Sequence, residues 1–222
     1  MSNSSFGINK GNIDKYFSEL AKEIKKQFGS SANMELVVVG GASVVINYGF
    51  RESTLDIDAL NSNISSINGC IRAVADNNGL PYTWLNSDFK TTNSYSPRLI
   101  ECSRPYKKFG NVLSVYSVKD EYLLCMKLMS FRLDKDVEDI EGIVQSMGAD
   151  LSGEKIDQAM KKLYGGWDNV SDIAVNYIVK KVSDIPNIER DRESIIDKIE
   201  TFKSKIANEE IKENRYAEKE RE

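Results

Sequence analysis

The 222-residue sequence contains no histidine. This absence excludes Ser-His-Asp and Cys-His catalytic triads and every metal site built on imidazole, so any metal chemistry must use carboxylates. The few cysteines are Cys70, Cys102 and Cys125, scattered through core-like or helical contexts. Their spacing argues against a zinc site and predicts buried, reduced thiols in a cytoplasmic protein.

Long hydrophobic runs are also lacking. The longest, residues 36–39, is far too short to span a bilayer, and the polar N-terminus does not have the pattern of a signal peptide. The sequence therefore predicts a cytoplasmic protein with no membrane partner.

An excess of basic residues is missing as well, since the net charge is −4. The whole molecule would not attract nucleic acid, so any such contact needs a local patch. The candidates are Arg98, Arg104, Lys107 and Lys108, although a solvated hairpin tip is the favoured interpretation of this run.

The periodicity of apolar residues predicts an α+β fold with a small mixed sheet flanked by helices, followed by an all-helical part. Helices are expected over residues 13–28, 42–48 and 64–77, and strands over residues 34–39, 55–60, 98–103 and 111–118. Residues 104–110 would join the last two strands. Later helices are expected over residues 121–132, 135–147, 153–163, 170–182 and 189–215. The domain boundary is placed at residue 118, which gives an α/β core over residues 1–118 and a helical region over residues 119–222.

Two short motifs lie on consecutive predicted strands. Gly40-Gly41-Ala42-Ser43 follows a buried strand and precedes a helix, so its backbone can approach a ligand and offer free N–H groups to phosphate. Asp56 and Asp58 are two residues apart, which places both on one face of a strand while Leu55, Ile57 and Ala59 face the core.

Either motif alone is weak, because strand-to-helix turns often contain glycine and Asp-x-Asp can be a polar edge. The glycine run also lacks the third glycine of a dinucleotide fingerprint and the lysine of a Walker motif. If the two strands are neighbours, phosphate oxygens and a divalent metal would meet at one end of the sheet, as phosphoryl transfer requires.

Together, the glycine motif and the stretch from Arg51 through Thr54 to Asp56 and Asp58 resemble the nucleotidyltransferase fold of the DNA polymerase β superfamily. The similarity is closest to AbiEii-like nucleotidyltransferases, many of them toxins or suspected toxins of bacterial toxin–antitoxin systems. Residues 122–144 extend it, because they resemble a helical motif with a lysine followed by an arginine and Asp-x-x-Asp. The resemblance covers roughly residues 34–150.

The resemblance implies a role for each matching residue. Gly40, Gly41 and Ser43 would hold the triphosphate of an NTP, and Asp56 and Asp58 would bind Mg²⁺ or Mn²⁺. Arg51 and Thr54 would line the mouth of the same site. Lys127 would contact a phosphate or the base, and Asp136 or Asp139 would orient this lysine. Ion pairing between two packed helices is the alternative for these last residues and Arg132.

A third carboxylate, which the superfamily usually places on a later strand, is not evident in the sequence. Glu101 is the best positional candidate and Asp88 is another. The nearby aromatic residues Tyr82, Trp84 and Phe89 could stack a base, but packing is the favoured role for them.

The sequence and the resemblance thus predict a Mg²⁺-dependent nucleotidyltransferase that moves a nucleotide from an NTP to a hydroxyl of tRNA or protein. The resemblance also implies a toxin role, with a cognate antitoxin protein as partner. The alternative is a catalytically inactive nucleotide-binding or protein-interaction module with the same fold.

Overall fold

The computed structural model describes residues 7–60, 64–132 and 135–182 of the chain. They form an α+β fold, as the sequence predicts, with a five-stranded mixed sheet and a helical C-terminal part. The helix expected over residues 189–215 lies outside the described residues. The strands are β1 (Ile8–Asn9), β2 (Met34–Val38), β3 (Ser53–Thr54), β4 (Ile57–Leu60), β5 (Leu85–Asn86), β6 (Ser103–Phe109) and β7 (Leu113–Val118). The α-helices are α1 (Ile13–Phe28), α2 (Gly40–Asn47), α3 (Asn68–Asn78), α4 (Asp120–Met129), α5 (Val137–Met147), α6 (Gly153–Tyr164) and α7 (Asp172–Lys181).

The main sheet has the strand order β5-β4-β2-β7-β6. Strand β2 at its centre runs antiparallel to β4 and parallel to β7, while β5 is parallel to β4 and β6 is antiparallel to β7. A separate two-stranded sheet pairs β1 with β3. Because β2 and β4 are antiparallel neighbours, the glycine motif and the aspartates meet at one end of these two strands.

The central strand separates two hydrophobic cores. Leu36 and Val38 pack with the helices α1 and α3 on one face. Val37 and Val39 pack on the other face with residues from α4, α5, α6 and α7. The alternation of side chains along β2 therefore produces a sheet covered by helices on both sides. The boundary at residue 118 coincides with the end of β7, and as a domain boundary it stays a prediction.

The strand expected over residues 55–60 is shorter than predicted. It begins at Ile57, so Asp56 lies in the connection that precedes it. Leu55 is 71% exposed and does not face the core, contrary to the prediction. The pairing of β4 with β2 lies beyond Asp58, where Ala59 is opposite Val38 and Leu60 is opposite Val37.

The strand expected over residues 98–103 is wrong. Residues Pro97–Leu99 form a short 3₁₀ helix, in which Pro97 occupies the first turn and the Ser96 hydroxyl accepts from the Arg98 amide. Strand β6 instead occupies most of the segment that was expected to be a connection. Its polar residues are compatible with a strand because β6 lies at the edge of the sheet.

Candidate functional site

The glycine pair forms the first turn of α2 and not a separate turn before it, contrary to the prediction of a helix starting at residue 42. Gly40 has a φ of +59°, in the left-handed region that favours glycine. A Cβ atom on Gly40 would lie 3.4 Å from Oδ2 of Asp58. One on Gly41 would lie 3.1 Å from both the Arg51 Nη2 and the Thr54 Oγ1. Because the glycines have no side chains, Asp58, Arg51 and Thr54 can lie close to the N-terminus of α2.

The aspartates lie beside this helix end. The Val39 amide donates to the backbone oxygen of Asp58 at 2.9 Å, which joins β4 to the start of α2. Asp58 also pairs in register with Asn86 of the neighbouring strand β5. Asn86 donates from Nδ2 to Oδ2 of Asp56 at 3.3 Å, and its Oδ1 accepts from the amide of Asp88 at 2.8 Å. One asparagine thus connects Asp56 to the segment that carries Asp88.

These carboxylates influence each other electrostatically. Burial first, and then the negative charges of Asp56 and Asp88, raise the pKa of Asp58 to about 6 against smaller opposing effects of Lys127 and Arg132. Three aspartates therefore contribute to one field of negative charge, and a cation placed there would relieve it.

A second set of charged residues is fully paired. Lys127 of α4 is buried, and its Nζ lies 2.8 Å from Oδ1 of Asp136 and 2.7 Å from Oδ2 of Asp139. Arg51 reaches the same Oδ2 of Asp139 at 2.5 Å. Arg132 donates from Nε to Oδ2 of Asp136 at 2.9 Å and from Nη2 to Oδ1 at 3.1 Å. Burial acts to raise the pKa of Asp136, but the hydrogen bonds from Arg132 and the charge of Lys127 outweigh it and lower that pKa.

Two cavities adjoin at this point and have Gly41, Asp58, Lys127 and Arg132 in common. The larger, of about 1070 Å³, extends between the connection around β3 and helix α5. The smaller, of about 270 Å³, extends between the start of α2, helix α4 and the segment after β5. The larger is lined by Phe50, Arg51, Glu52, Thr54, Leu55, Asp56, Glu138, Asp139, Glu141 and Gly142, among others.

Most residues named by the resemblance converge on the larger cavity. Its lining includes Gly41, Arg51, Thr54, Asp56, Asp58, Lys127 and Asp139, and Gly40 lines the smaller one. The ion-pair alternative for the later helices is observed too, because the same lysine both lines the cavity and is held by two carboxylates.

Ser43 and Glu101 lie elsewhere. Ser43 is fully buried, its Oγ is 2.9 Å from the Ser117 Oγ, and its amide donates to the Val39 oxygen, so neither group faces a cavity. Its place is one turn further along α2 than the glycines. Glu101 is exposed, lines neither cavity, and lies within electrostatic range of Lys162. Asp88, the other acidic candidate, is also exposed and lines neither cavity, but its charge raises the pKa of Asp58.

The remaining candidates take packing and surface roles. Trp84 is fully buried and donates from Nε1 to the Ile71 oxygen at 3.0 Å, while Tyr82 is 58% exposed. The basic run does not form one patch: Arg104 pairs with Asp120, and Lys107 pairs with Asp14. The cysteines are all free and buried, as predicted.

Sequence reasoning missed Asn86, Phe50 and Gly142. Asn86 is recognisable only once β5 is paired with β4. The tip of the Phe50 ring rests on Gly142, where a Cβ would overlap it, and its face stacks on Tyr48 with centroids 5.2 Å apart. These two residues are 92 positions apart in the sequence, so no local pattern indicates their contact.

A divalent metal would find two carboxylates at this site and would need further ligands. In the part of the chain that the structure describes, no group of three acidic or cysteine side chains is arranged to hold a metal ion. Asp56 and Asp58 supply the oxygen donors that Mg²⁺ prefers, and this ion usually completes its shell with water and substrate phosphates. The donor set therefore fits a metal that binds together with a phosphate substrate. None of the helices in residues 7–60, 64–132 and 135–182 is long and apolar enough to cross a bilayer.

Comparison with known families gives a match to "Nucleotidyltransferase of unknown function (DUF6036)" over residues 15–185. No curated protein and no solved structure matches the chain. The family match supports the nucleotidyltransferase part of the resemblance and does not distinguish the AbiEii-like branch. Because it spans well over half of the sequence, the chain belongs to this nucleotidyltransferase family.

Proposed function

We propose that this nucleotidyltransferase family member moves a nucleotide from an NTP to an acceptor hydroxyl, and that the reaction depends on Mg²⁺ or Mn²⁺. The observation that carries the proposal is the close approach of Asp58, Arg51 and Thr54 to Gly40 and Gly41 at the N-terminus of α2. A helix N-terminus without side chains binds phosphate through free N–H groups, and the adjacent carboxylates bind the metal that accompanies it.

The chain's own groups then divide into binding and orienting roles. The first amides of α2 hold the triphosphate, and the Arg51 guanidinium, whose side chain is 29% exposed, donates to its oxygens from the cavity wall. Asp139 orients Arg51 and Lys127 together. Asp56 and Asp58 would hold the metal, which supplies positive charge to a substrate carrying several negative oxygens.

In the transfer step, the oxygen of the acceptor hydroxyl forms a bond with the α-phosphorus while the bond from that phosphorus to the β-phosphate oxygen breaks. Pyrophosphate leaves with the bonding electrons. The hydroxyl proton needs a base. We favour Asp88 over Glu101 for this role because the charge of Asp88 acts on Asp58. A carboxylate beside the metal site replaces the histidine that the sequence lacks.

Finer aspects extend the same proposal. The acceptor is a tRNA end or a protein side chain, and the net charge of −4 favours the protein. The AbiEii-like resemblance supports a toxin role, with a cognate antitoxin protein as partner and a cytoplasmic location. The alternative function is a silent nucleotide-binding module, which is favoured by the two-carboxylate donor set.

Incubation of the protein with Mg²⁺ and each labelled NTP, against tRNA and total protein, tests the proposal. Wild type should transfer label, and Asp56→Ala should lose the activity because half of the carboxylate pair is gone. Asp88→Asn should reduce transfer by about 10²-fold or more, since general bases contribute at that level. Glu101→Gln is its matched control and should transfer like wild type.

Transfer by wild type no greater than by Asp56→Ala would refute the enzymatic proposal. NTP binding measured by calorimetry in that case would establish the silent module instead. A larger loss in Glu101→Gln than in Asp88→Asn would reverse the assignment of the base.

A further inference from the structure

The smaller cavity differs in chemistry from the larger one beside it. Among the described residues that line it, the charged ones are Asp58, Lys127 and Arg132, and all three also line the larger cavity. Beyond that junction the walls consist of apolar groups, including Phe89 and Met126, and of hydroxyl side chains. The charged residues of the smaller cavity are therefore all ones that it shares with the larger cavity, and the rest of its described lining is uncharged.

This arrangement fits the two ends of a nucleotide. The triphosphate belongs at the junction, where the glycines of α2 and the cations lie. The volume of about 270 Å³ is slightly below the roughly 300 Å³ at which pockets begin to hold a whole drug-sized ligand. A ring system fits such a space and a polymer does not, and an aromatic wall such as Phe89 suits a planar heterocycle.

The hydroxyl groups that line this pocket donate their protons in hydrogen bonds within the protein. Thr92 donates from Oγ1 to the Phe89 oxygen at 2.7 Å, so in its 2.8 Å contact with Ser94 the Ser94 hydroxyl is the donor. Ser130 donates from Oγ to the Met126 oxygen at 3.1 Å. A hydroxyl has one proton and two acceptor lone pairs, so what these three side chains retain is the capacity to accept.

We propose that the smaller cavity is the base pocket of the NTP site and that it selects bases bearing an exocyclic amino group. Cytosine presents an amino donor at the position where uracil presents a carbonyl acceptor, and the two bases have the same size. A pocket lined by acceptors can bond the amino group of cytosine. It places the carbonyl oxygen of uracil against other acceptors, with no proton between them to form a hydrogen bond. This inference rests on the proposed nucleotidyltransferase function, whose NTP it specifies.

The test measures the Kd values of CTP, UTP and inorganic tripolyphosphate in the presence of Mg²⁺. We expect wild type to bind CTP about tenfold more tightly than UTP, in line with one unsatisfied hydrogen-bonding group. Thr92→Val and Ser94→Ala each remove an acceptor and should bring the ratio of the two Kd values close to one. Tripolyphosphate has no base, so its Kd should be the same in both variants as in wild type.

Asn93→Ala is the matched control, because Asn93 lies between the two pocket residues in sequence but lines neither cavity. It should keep the wild-type ratio. Circular dichroism checks the folding of every variant, and Ser94→Ala alone decides the question if Thr92→Val does not fold. Equal Kd values for CTP and UTP in wild type, or an unchanged ratio in Ser94→Ala, would overturn the base pocket while tripolyphosphate binding upholds the phosphate site. Absence of tripolyphosphate binding would overturn both proposals together.

Discussion

Two groups of aspartates meet at the larger cavity, which is lined by Asp56 and Asp58 from one group and by Asp139 from the other, and their electrostatic environments differ. The charges of Asp56 and Asp88 act on Asp58, whose pKa is raised to about 6 by its burial and by these two charges. Asp136 and Asp139 are each bonded to two cations, and hydrogen bonds and neighbouring charge lower the pKa of Asp136 despite its burial. The first group is uncompensated, in that none of its members forms an ion pair among the described residues, and the second is compensated by cations of the protein itself.

The difference separates binding groups from supporting groups. Neighbouring carboxylates without an ion pair repel each other, so a bound cation would stabilise them, as the proposed metal site requires. A buried charge with two partners instead fixes the helices that contribute it. Here α4 and α5 are joined by the ion pairs of Lys127, and both helices contribute residues to the lining of the larger cavity.

The largest effect is expected from breaking the compensated group. Asp136→Ala removes a fully buried carboxylate, which leaves Arg132 without that acceptor and Lys127 with Asp139 alone. The free energy of unfolding should fall by about 3–5 kcal/mol, as it does when one partner of a buried pair is deleted. Urea denaturation followed by circular dichroism measures this loss.

Glu141→Ala is the matched control on the same helix. Glu141 accepts from Lys181 and Tyr177 at the surface, where solvent screens the pair. Its removal should leave the urea midpoint unchanged. Equal losses in the two variants would mean that the buried network contributes no more than a surface pair does.

An intermediate effect of opposite sign is expected from the uncompensated group. Asp58→Asn should stabilise the protein in the absence of metal, because the folded-state pKa of about 6 lies above the reference value of 3.8. The folded state then holds the proton more strongly, so ionisation of Asp58 removes stability as pH rises from about 4 to about 6. Above pH 6 the variant should be more stable by about 1–2 kcal/mol, after allowance for partial solvation of the carboxylate.

Thermal unfolding at pH 4 and pH 7, with and without Mg²⁺, checks this expectation. Wild type should gain stability from Mg²⁺ at pH 7, and Asp58→Asn should gain much less. The exposed Asp150 serves as control, and Asp150→Asn should show neither effect. A variant less stable than wild type at pH 7 without metal would show that Asp58 supports the fold.

The smallest change in stability is expected where the two groups meet. Arg51 pairs with Asp139 but also lines the cavity, and Asp139 keeps Lys127 as a partner if Arg51 is lost. Arg51→Gln should therefore reduce the free energy of unfolding by less than about 1 kcal/mol. The affinity for tripolyphosphate in Mg²⁺ should fall about tenfold, since a charge-assisted contact is removed. Calorimetry of wild type and variant in one buffer measures both the stability and the affinity. A loss of stability without a loss of affinity would place Arg51 wholly in the supporting group.

Local patterns in the sequence were sufficient for most of the fold. The helix over residues 13–28 is found with the predicted bounds, because its apolar spacing and the glycine after it act within one segment. The strand over residues 98–103 failed for the complementary reason. Whether a polar segment is an edge strand or a connection depends on the partner strand β7, and nothing within the segment itself indicates the pairing.

The candidate site divides in the same way. Gly40, Gly41, Asp56 and Asp58 are close in sequence, and their motif leads directly to the cavity mouth. The choice between Asp88 and Glu101 requires the pairing of β4 with β5, and the burial of Ser43 requires its contact with Ser117 on β7. Each of these contacts joins residues that are at least 28 positions apart, which is beyond the reach of periodicity and spacing.

The two ends of the main sheet carry one more consequence, for how the protein avoids pairing with copies of itself. An exposed edge strand offers free backbone groups to any other chain, and lysines, proline and bulges are the usual protection. Strand β6 carries Pro105, Lys107 and Lys108 with a break in register between the first two, and the opposite edge strand β5 is only two residues long. The basic run that first suggested a nucleic-acid contact thus serves, by its position, to keep the sheet from extending into aggregates.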